Sequence, residues 1–308
     1  MKKLKKKNFY KHRYKYIQLH ADDIGRSKNI NSTIFQSIDK GMVRGVSVIV
    51  GQKYSLEAIK KLKKRQIKTR LHLNLTEGLS SAKHKDQSDL VDQNGNFAMD
   101  FFALFFSPLK FGFHKLKKDI NKEINAQIII YKKALNLKKF SLDGHNHIHC
   151  IPWISSIMLK LGQKHKLQEI RIPREKFVIS RKSNIFKFSF YINIIKFILL
   201  NILSISLVNK AKKQGIFCQK NFIGILDTGH MNSLTIKKGL EVYKDKNKQE
   251  LVEILIHPGA SKLKEKSIFT SDNQQSYYLK KERLDELNLS KDPKLHKIFI
   301  EYENSFSN

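Results

Sequence analysis

The chain has 308 residues, of which 41% are hydrophobic and 28% are charged. This length and composition exclude wholesale disorder and leave room for one large core or two modest ones. Two cysteines, Cys150 and Cys218, exclude a disulfide framework or a cysteine-based zinc module and fit a reducing compartment. The outlying value is a formal net charge of +32, which is typical of proteins that meet polyanions. Because the lysine excess runs along the whole chain, it does not by itself select nucleic acid, an anionic membrane or biased residue usage.

Strand and helix patterns alternate along most of the chain. Strand patterns fall at residues 16–20, 46–50, 69–75, 140–142, 170–172, 222–226 and 251–256. Apolar residues at helical spacing fall at 29–40, 56–62, 116–135, 154–161 and 236–243. This alternation predicts a parallel α/β fold. Seven strands with polar carboxyl ends favour a TIM-barrel-like (β/α) barrel, complete or incomplete, over a doubly wound open sheet.

The chain shows no linker between two domains. We predict a basic N-terminal tail at residues 1–15, a single barrel domain at 16–270 and a charged C-terminal extension at 271–308. Residues 1–7 resemble the basic region of a signal peptide, but no apolar segment follows them. We therefore expect the protein to be cytoplasmic.

An apolar segment, FSFYINIIKFILLNILSISLV, runs from Phe188 to Val208 as an insertion in the barrel series. It is long enough to cross a bilayer. However, Lys196 lies inside it, and lysines flank both of its ends rather than one. A span would also cut the strand–helix series in two. Three alternatives stay open: a helix packed on the core or substrate channel, an interfacial membrane helix, and a true span.

Polar clusters stand where four of the predicted strands end. Their sequences are HADD at 20–23, HLN at 72–74, DGHNHIH at 143–149 and HPG at 257–259. Taken singly, each cluster could be a turn, a helix cap or a core histidine. The carboxyl ends of parallel strands, however, converge on one face of the fold. Together the clusters supply the histidines and carboxylate that a hydrolytic divalent metal needs.

The spacing of three histidines gives a further expectation. His145, His147 and His149 lie two residues apart, so an extended backbone would point all three to one side. One or two of them could reach a metal that Asp23 and His72 also bind. The others would orient the ligands or contact substrate.

Five ordered motifs resemble those of the YdjC-like carbohydrate deacetylases, the ChbG/HpnK group. The motifs are ADDIGRSKNINSTIFQSIDKGMVRGVSV, LHLNLTEG, LDGHNHIHCIP, RIPRE and IHPG, within residues 19–260. The resemblance implies a TIM-barrel-like fold and one divalent metal ion, Mg²⁺ or Zn²⁺. It also implies hydrolysis of the N-acetyl group of an amino sugar, with the N-acetylated sugar as the binding partner.

The resemblance also implies roles for individual residues. The metal ligands would be Asp23, His72 and His145, with Asp22 as general base and His257 as candidate general acid.

We expect a second set of residues to bind substrate or orient the ligands. This set comprises Asn74, Glu77, Asp143, His147, His149 and Arg171. Arg171 would hold a sugar hydroxyl or phosphate, or pair with Glu175. Ile24 and Arg26 depart from the usual residues of the family, and we expect them to affect substrate contacts.

The apolar segment and the lysines suggest where the enzyme works. Members of the group linked to hopanoid metabolism suggest a lipid-associated substrate. Our hypothesis is that the apolar segment and the basic surface hold the enzyme at the cytoplasmic face of the inner membrane, near an anionic lipid-linked amino sugar. The oligomeric state stays open.

Two other functions compete with this interpretation. A basic nucleic-acid-binding protein would need a binding module and aromatic residues interleaved with basic ones; we find neither, and we expect no specific nucleic-acid partner. A metal-dependent hydrolase of another ester or phosphoester would keep the same ligands. Two-metal phosphoesterase sites, however, need more bridging carboxylates than the motifs supply.

Overall fold

The computed structural model describes residues 14–84, 88–179, 188–245, 250–259 and 281–306. The strands are β1 (Ile17–Ile24), β2 (Val43–Val48), β3 (Lys68–Leu73), β4 (Phe140–Gly144), β5 (Leu167–Arg171), β6 (Phe217–Gln219), β7 (Asn221–Ile223) and β8 (Val252–Ile256). The helices are α1 (Lys28–Asp39), α2 (Ser55–Leu62), α3 (Phe101–Phe106), α4 (Phe113–Leu135), α5 (Pro152–His165), α6 (Phe188–Lys212), α7 (Ser233–Glu241), α8 (Lys281–Leu289) and α9 (Pro293–Asn304). Short 3₁₀ segments lie at Ser107–Leu109 and His145–Cys150.

The eight strands form one parallel sheet in the order β6-β5-β4-β3-β2-β1-β8-β7. The two edge strands, β6 and β7, follow each other in the chain, so the sheet curves into a nearly closed barrel. A parallel bridge between Glu175 and Phe222 joins the segment after β5 to β7 across the opening. The TIM-barrel-like prediction is confirmed. Sequence patterns missed β6, because three residues are too few to show an alternation.

Apolar strand residues form a hydrophobic core with the surrounding helices. Leu19 and Leu71, both members of this core, are fully buried. Buried polar residues alternate with them along the strands, among them His20, Arg70 and Glu253, which contact one another across three strands. Further polar residues stand at the carboxyl ends of the strands, where the motifs predicted a site.

The inserted apolar helix is α6, which links β5 to β6. It packs on α5, on β6 and on the 3₁₀ segment after β4, and it buries Leu200, Leu203 and Leu207. Within the described residues, it is the helix long and apolar enough to cross a membrane, judged by length and composition alone, and 28% of that window is buried. Because β5 and β6 pair directly, α6 leaves the barrel and returns to it, with one face packed and the other exposed.

The two C-terminal helices, α8 and α9, pack against the barrel. The Met42 backbone N–H donates to the Ser290 carbonyl, and the Gly259 N–H donates to the Arg283 carbonyl. On α9, Leu295 and Phe299 are fully buried. The predicted boundary at residue 270 and nearly all of the predicted basic tail lie outside the described residues. The division into tail, barrel and extension therefore stays a prediction.

Candidate active site

An irregularity at the end of β1 brings two consecutive aspartates into one cavity. Successive residues of a regular strand point to opposite faces. The pairing of β1 with β2 shifts register between Ala21 and Ile24, and Asp23 has a φ of 73°, in the left-handed region. As a result, Asp22 and Asp23 both line the same cavity.

The three predicted metal ligands converge at this cavity. The Asp23 Oδ1 atom lies 2.9 Å from His145 Nδ1 and 3.5 Å from His72 Nε2. His145 Nδ1 and His72 Nε2 lie 3.4 Å apart, and all three residues are buried. One carboxylate oxygen and two imidazole nitrogens form a donor set that suits Zn²⁺ and other divalent metals. The residues present therefore fit the predicted metal.

A carboxylate lies behind each of the two histidines. His72 Nδ1 is 2.6 Å from Asp143 Oδ1, and His145 Nε2 is 3.3 Å from Glu77 Oε2. Metal-binding histidines usually donate their second N–H to such a group, which fixes the ring orientation. Asp143 and Glu77 thus lie where they would orient the two histidines, and this role stays a prediction.

The carboxylates create a negative field at the centre of the site. Burial opposes a positive charge on His72, but Asp22 and Asp143 outweigh it and raise its pKa to about 10. Burial also opposes charge on His145, whose pKa is nevertheless raised by Glu77 and Asp23. This centre stabilises positive charge, which is what a cation site requires.

Asn74 and Arg26 position Glu77. The Asn74 side-chain oxygen accepts the backbone N–H groups of Thr76 and Glu77, and an Arg26 Nη2 lies 2.7 Å from Glu77 Oε2. Burial would raise the pKa of Glu77, but His145 and Arg26 lower it to about 2. Neither Arg26 nor Ile24 lines the cavity, and Ile24 is fully buried in the core. Any effect of these two residues on substrate contacts would therefore be indirect, and that expectation stays a prediction.

Arg171 organises the buried carboxylates beneath the cavity. Its guanidinium donates to both Asp22 oxygens, at 2.7 and 2.9 Å, and its Nε donates to Glu253 at 2.5 Å. An Nη1 also lies 3.0 Å from Asp143 Oδ2. Because Arg171 is fully buried, it cannot hold a sugar, and it does not pair with Glu175, so both expectations for it are wrong.

This ion network keeps Asp22 in its ionised form. Burial would raise the pKa of Asp22, but the Arg171 and His72 cations lower it. A second buried cluster, His20 with Asp22 and Asp143, also has the residue types of a metal site. The Arg171 guanidinium already pairs with both of its carboxylates, so a metal ion is not expected there.

The histidine-rich turn after β4 is not extended. Residues 145–150 form a 3₁₀ segment in which Asn146 and His147 have left-handed φ values of 52° and 57°. His145 and His147 line the cavity, whereas His149 Nε2 lies 3.0 Å from the Arg171 carbonyl oxygen. The expectation of three histidines on one side is therefore wrong. Gly144 allows this fold-back, because a Cβ there would lie 2.6 Å from His149 Nδ1.

The cavity has a volume of about 160 Å³ and two chemically different sides. Its polar side comprises Asp22, Asp23, His72, His145, His147 and His257. The other side, named here the apolar wall, comprises Phe101 and Phe102 of α3 together with Ile195, Leu199 and Leu200 of α6. Lys196 of α6 also lines the cavity. The sequence marked both segments as apolar, but it did not show that they meet over the site.

His257 lies in the cavity as predicted and is held in its neutral form. Burial and the nearby Arg283 cation lower its pKa to about 3. Its backbone N–H donates to the Glu286 carboxylate at 2.5 Å. Arg283 and Glu286 belong to α8, and no motif in the sequence pointed to them.

The fold and site together define a TIM-barrel-like α/β protein with a buried histidine–carboxylate centre at the carboxyl ends of its strands. The chain belongs to the YdjC-like protein family, whose model matches residues 16–301.

Curated relatives match part of the chain. A carbohydrate deacetylase of Mus musculus is 28% identical over 160 residues, which cover 51% of this chain and 50% of that protein. A carbohydrate deacetylase of Brevibacillus brevis is 28% identical over 156 residues, which cover 50% and 58% of the two chains. The chain therefore spans about half the length of the curated relatives it matches.

A solved structure shares the whole fold. It is the crystal structure of an Enterococcus faecalis V583 protein named for cellobiose-phosphate cleavage. It superposes with a TM-score of 0.65 at 16% sequence identity and covers 94% of this chain and 96% of that one. At this identity, the likeness establishes the fold.

Proposed function

We propose that this protein is a metal-dependent deacetylase that hydrolyses the N-acetyl group of an amino sugar. The observation that carries the proposal is the convergence of Asp23, His72 and His145 in a cavity that an ionised Asp22 also lines. The matched relatives are carbohydrate deacetylases, and the family model spans most of the chain. Both findings support the same reaction.

The metal would be held by Asp23, His72 and His145. When bound there, a divalent ion lowers the pKa of a water molecule and polarises the amide carbonyl. The protein supplies the base: Asp22 is ionised, lies at the cavity and accepts the proton of the attacking water. Arg171 fixes both oxygens of Asp22 and so keeps this carboxylate oriented and charged between turnovers.

His257 serves the leaving nitrogen. It is neutral in the resting site because of burial and Arg283. Negative charge that develops on the reacting amide favours the protonated imidazole and so opposes the lowering of its pKa. In this assignment, the proton that Asp22 takes from the water passes to His257 and from there to the departing amine, so that Asp22 is ionised again when acetate and the free amino sugar leave.

An acetate-release assay tests the reaction. N-acetylglucosamine, its oligomers and lipid-linked N-acetyl amino sugars are supplied to the wild-type protein, and metal content is measured on the same preparation. We expect acetate with at least one substrate, and loss of both bound metal and activity in His72→Ala. His114→Ala, at an exposed position on α4, is the matched control and should keep both. Acetate from none of these substrates, or full activity in His72→Ala, would contradict the proposal.

We further propose that the enzyme works at the cytoplasmic face of the inner membrane as a peripheral protein. The outward face of α6 exposes apolar side chains at every turn. They are Tyr191, Ile192, Ile195, Ile198, Ile202 and Ile205. Ile195 also lines the cavity, so this face continues to the opening of the site. Phe102 and Phe106 of α3 add two half-exposed aromatic rings.

The occupant that fits this face is the interfacial zone of an anionic bilayer. An apolar helix face enters the boundary between headgroups and acyl chains, and a net charge of +32 is attracted to anionic headgroups. The free and buried Cys150 and Cys218 are consistent with the reducing side of the membrane.

Vesicle flotation tests the membrane contact. We expect wild-type protein to float with anionic phosphatidylglycerol vesicles at low salt and to bind neutral phosphatidylcholine vesicles less. The Ile198→Ser/Ile202→Ser variant should lose most of this binding. Leu56→Ser on α2 is the control, because Leu56 and Ile202 are almost equally exposed, at 59% and 60%. Protein that stays at the bottom, or equal losses in the variant and the control, would contradict the contact.

A further inference from the structure

Lys196 is a cation in the active-site cavity that the deacetylation described above does not use. It lies on α6 beside Ile195 and lines the same cavity as the predicted metal ligands. Within the described part of the chain, no residue forms a hydrogen bond or ion pair with its ammonium group. The Lys196 side chain is exposed, but its neighbours partly desolvate the ammonium group and lower its pKa, an effect that a bound anion would offset.

A second cation strengthens the positive field on this side of the cavity. The buried Arg283 of α8 lies close enough to His257 and to Lys196 to lower the pKa of each, in addition to the larger effect of burial. The carboxylates that line the cavity lie beside His72 and His145, whereas Lys196 lines it from α6 together with apolar residues.

We propose that Lys196 binds a phosphate group that the substrate carries next to its N-acetyl amino sugar. This inference rests on the proposed deacetylase function and names the class of its substrate. A compact ammonium on a flexible stem suits a phosphate oxygen as a point charge. The phosphate belongs either to a soluble sugar phosphate or to a phosphodiester that links the sugar to a hydrocarbon chain.

The neighbours of Lys196 give the phosphodiester a place for its hydrocarbon. Ile195 and Leu199 flank Lys196 on α6, and Phe101 and Phe102 lie on the same apolar wall. One cavity thus offers a histidine–carboxylate centre for the acetamide, an ammonium for a phosphate and an apolar wall for a chain. The soluble sugar phosphate would use the first two of these parts.

Substrate preference tests the inference. The kcat/KM for acetate release is compared among N-acetylglucosamine, its 1-phosphate and its dodecyl phosphodiester, with neutral dodecyl N-acetylglucosaminide as the apolar control. We expect wild-type protein to prefer each phosphate-bearing substrate over its neutral counterpart by about 10-fold or more, the scale of a charge-assisted hydrogen bond. Preference for the 1-phosphate alone identifies a soluble sugar phosphate, and added preference for the diester identifies the lipid.

Variants distinguish the effect of Lys196 on phosphate preference from the effect of the overall positive charge. Lys196→Met keeps the apolar stem and should remove most of the phosphate preference, mainly through KM, whereas Lys196→Arg should retain it. Lys212→Met is the matched control on the exposed end of the same helix and should keep the wild-type preference. Equal preference in wild-type protein and Lys196→Met, or the same loss in Lys212→Met, would overturn the inference.

A binding measurement keeps the inference testable if no acetate is released. Calorimetry with N-acetylglucosamine 1-phosphate and the dodecyl phosphodiester should then show binding to wild-type protein that is about 10-fold weaker in Lys196→Met. Binding without turnover would contradict the deacetylase function and leave the phosphate site supported. Turnover of neutral sugars with no effect of phosphate would support the deacetylase function and contradict the phosphate site.

Discussion

The two halves of the barrel contribute to the site in different ways. The first half, β1 to β4, supplies Asp22, Asp23, His72 and His145, each of which has a polar atom within about 4 Å of at least one of the others. The second half supplies the α6 residues of the apolar wall, Lys196 and His257, and α3 of the first half completes the wall. Short polar contacts fix atoms to narrow positions, whereas apolar contacts are non-directional and tolerate different partners. We infer that the polar strand ends of the first half determine the reaction, and that the apolar wall with Lys196 determines the substrate.

The largest effect in this comparison is expected from a substitution of Asp22, the proposed general base. Asp22→Asn keeps the shape of the side chain but removes the proton acceptor, so we expect kcat to fall by about 10²- to 10⁴-fold on every substrate. Steady-state acetate release on soluble and lipid-linked substrates measures it. Asp119→Asn is the control, because Asp119 accepts a hydrogen bond from Ser88 away from the cavity. A loss confined to one substrate would show that Asp22 acts on binding instead.

A smaller effect is expected from a substitution of Asp143, the carboxylate that contacts the proposed ligand His72. Asp143→Asn leaves His72 Nδ1 beside a neutral amide instead of a carboxylate, and metal affinity should fall by about 10- to 100-fold. Competition with a chelator measures the affinity, and excess metal should restore most of the activity. Asp39→Asn removes a surface pair with Arg65 and should change neither value. Unchanged metal affinity in Asp143→Asn would contradict the orienting role of Asp143.

The apolar wall provides the corresponding test of substrate binding, at a residue that α3 contributes to it. Phe102→Ser removes an aromatic ring from the wall, and we expect KM for a dodecyl-linked substrate to rise by about 10-fold, with a smaller change for the free sugar. Phe106→Ser is a close control, because both rings are 52% exposed and Phe106 does not line the cavity. If both variants raise KM equally, the effect belongs to membrane contact and not to the wall.

The sequence was informative where the chemistry depends on strand ends. Alternating strands and helices predicted the barrel, and polar residues at the carboxyl ends predicted that the four clusters converge. This prediction holds because parallel strands bring their carboxyl ends to one face whatever the loops do. The choice of Asp23, His72 and His145 among the residues of these clusters came from the resemblance to the family.

The sequence was uninformative where a backbone irregularity, or an element distant in the chain, determines the position and contacts of a side chain. The left-handed backbone at His147 folded the histidine-rich turn back on itself, and a period-two pattern cannot show this. Arg171 found its partners on β1, β4 and β8, three strands far apart in the chain. We expected Arg171 to pair with its neighbour in sequence, Glu175, but Glu175 accepts backbone N–H groups of the loop after β7 instead. The meeting of α3 with α6 likewise depends on packing that no local motif records.

Glu175 gives the test with the smallest expected effect on activity, because it acts on a loop and not on the reacting groups. Its carboxylate accepts the backbone N–H groups of Gly224, Ile225 and Leu226, and Ile225 lines the cavity. Burial raises its pKa to about 7, although the N–H groups of this loop oppose the rise. The folded protein therefore holds this proton more tightly than the unfolded chain does.

The sign of the pH effect follows from the raised pKa. The contribution of Glu175 to the free energy of unfolding is fully present below the ordinary carboxyl pKa and is lost as the pH rises through about 7. Glu175→Gln cannot ionise, so the stability of wild-type protein relative to this variant should fall between about pH 5 and pH 8, by on the order of 3 kcal/mol. Urea unfolding across that range measures the difference, with Glu241→Gln at an exposed position on α7 as the control. Parallel stability curves for wild-type protein and Glu175→Gln would show that a titrating carboxyl does not hold the loop at residues 224–226. The contrast between the polar contacts of the first half and a weakly anchored second half would then be sharper.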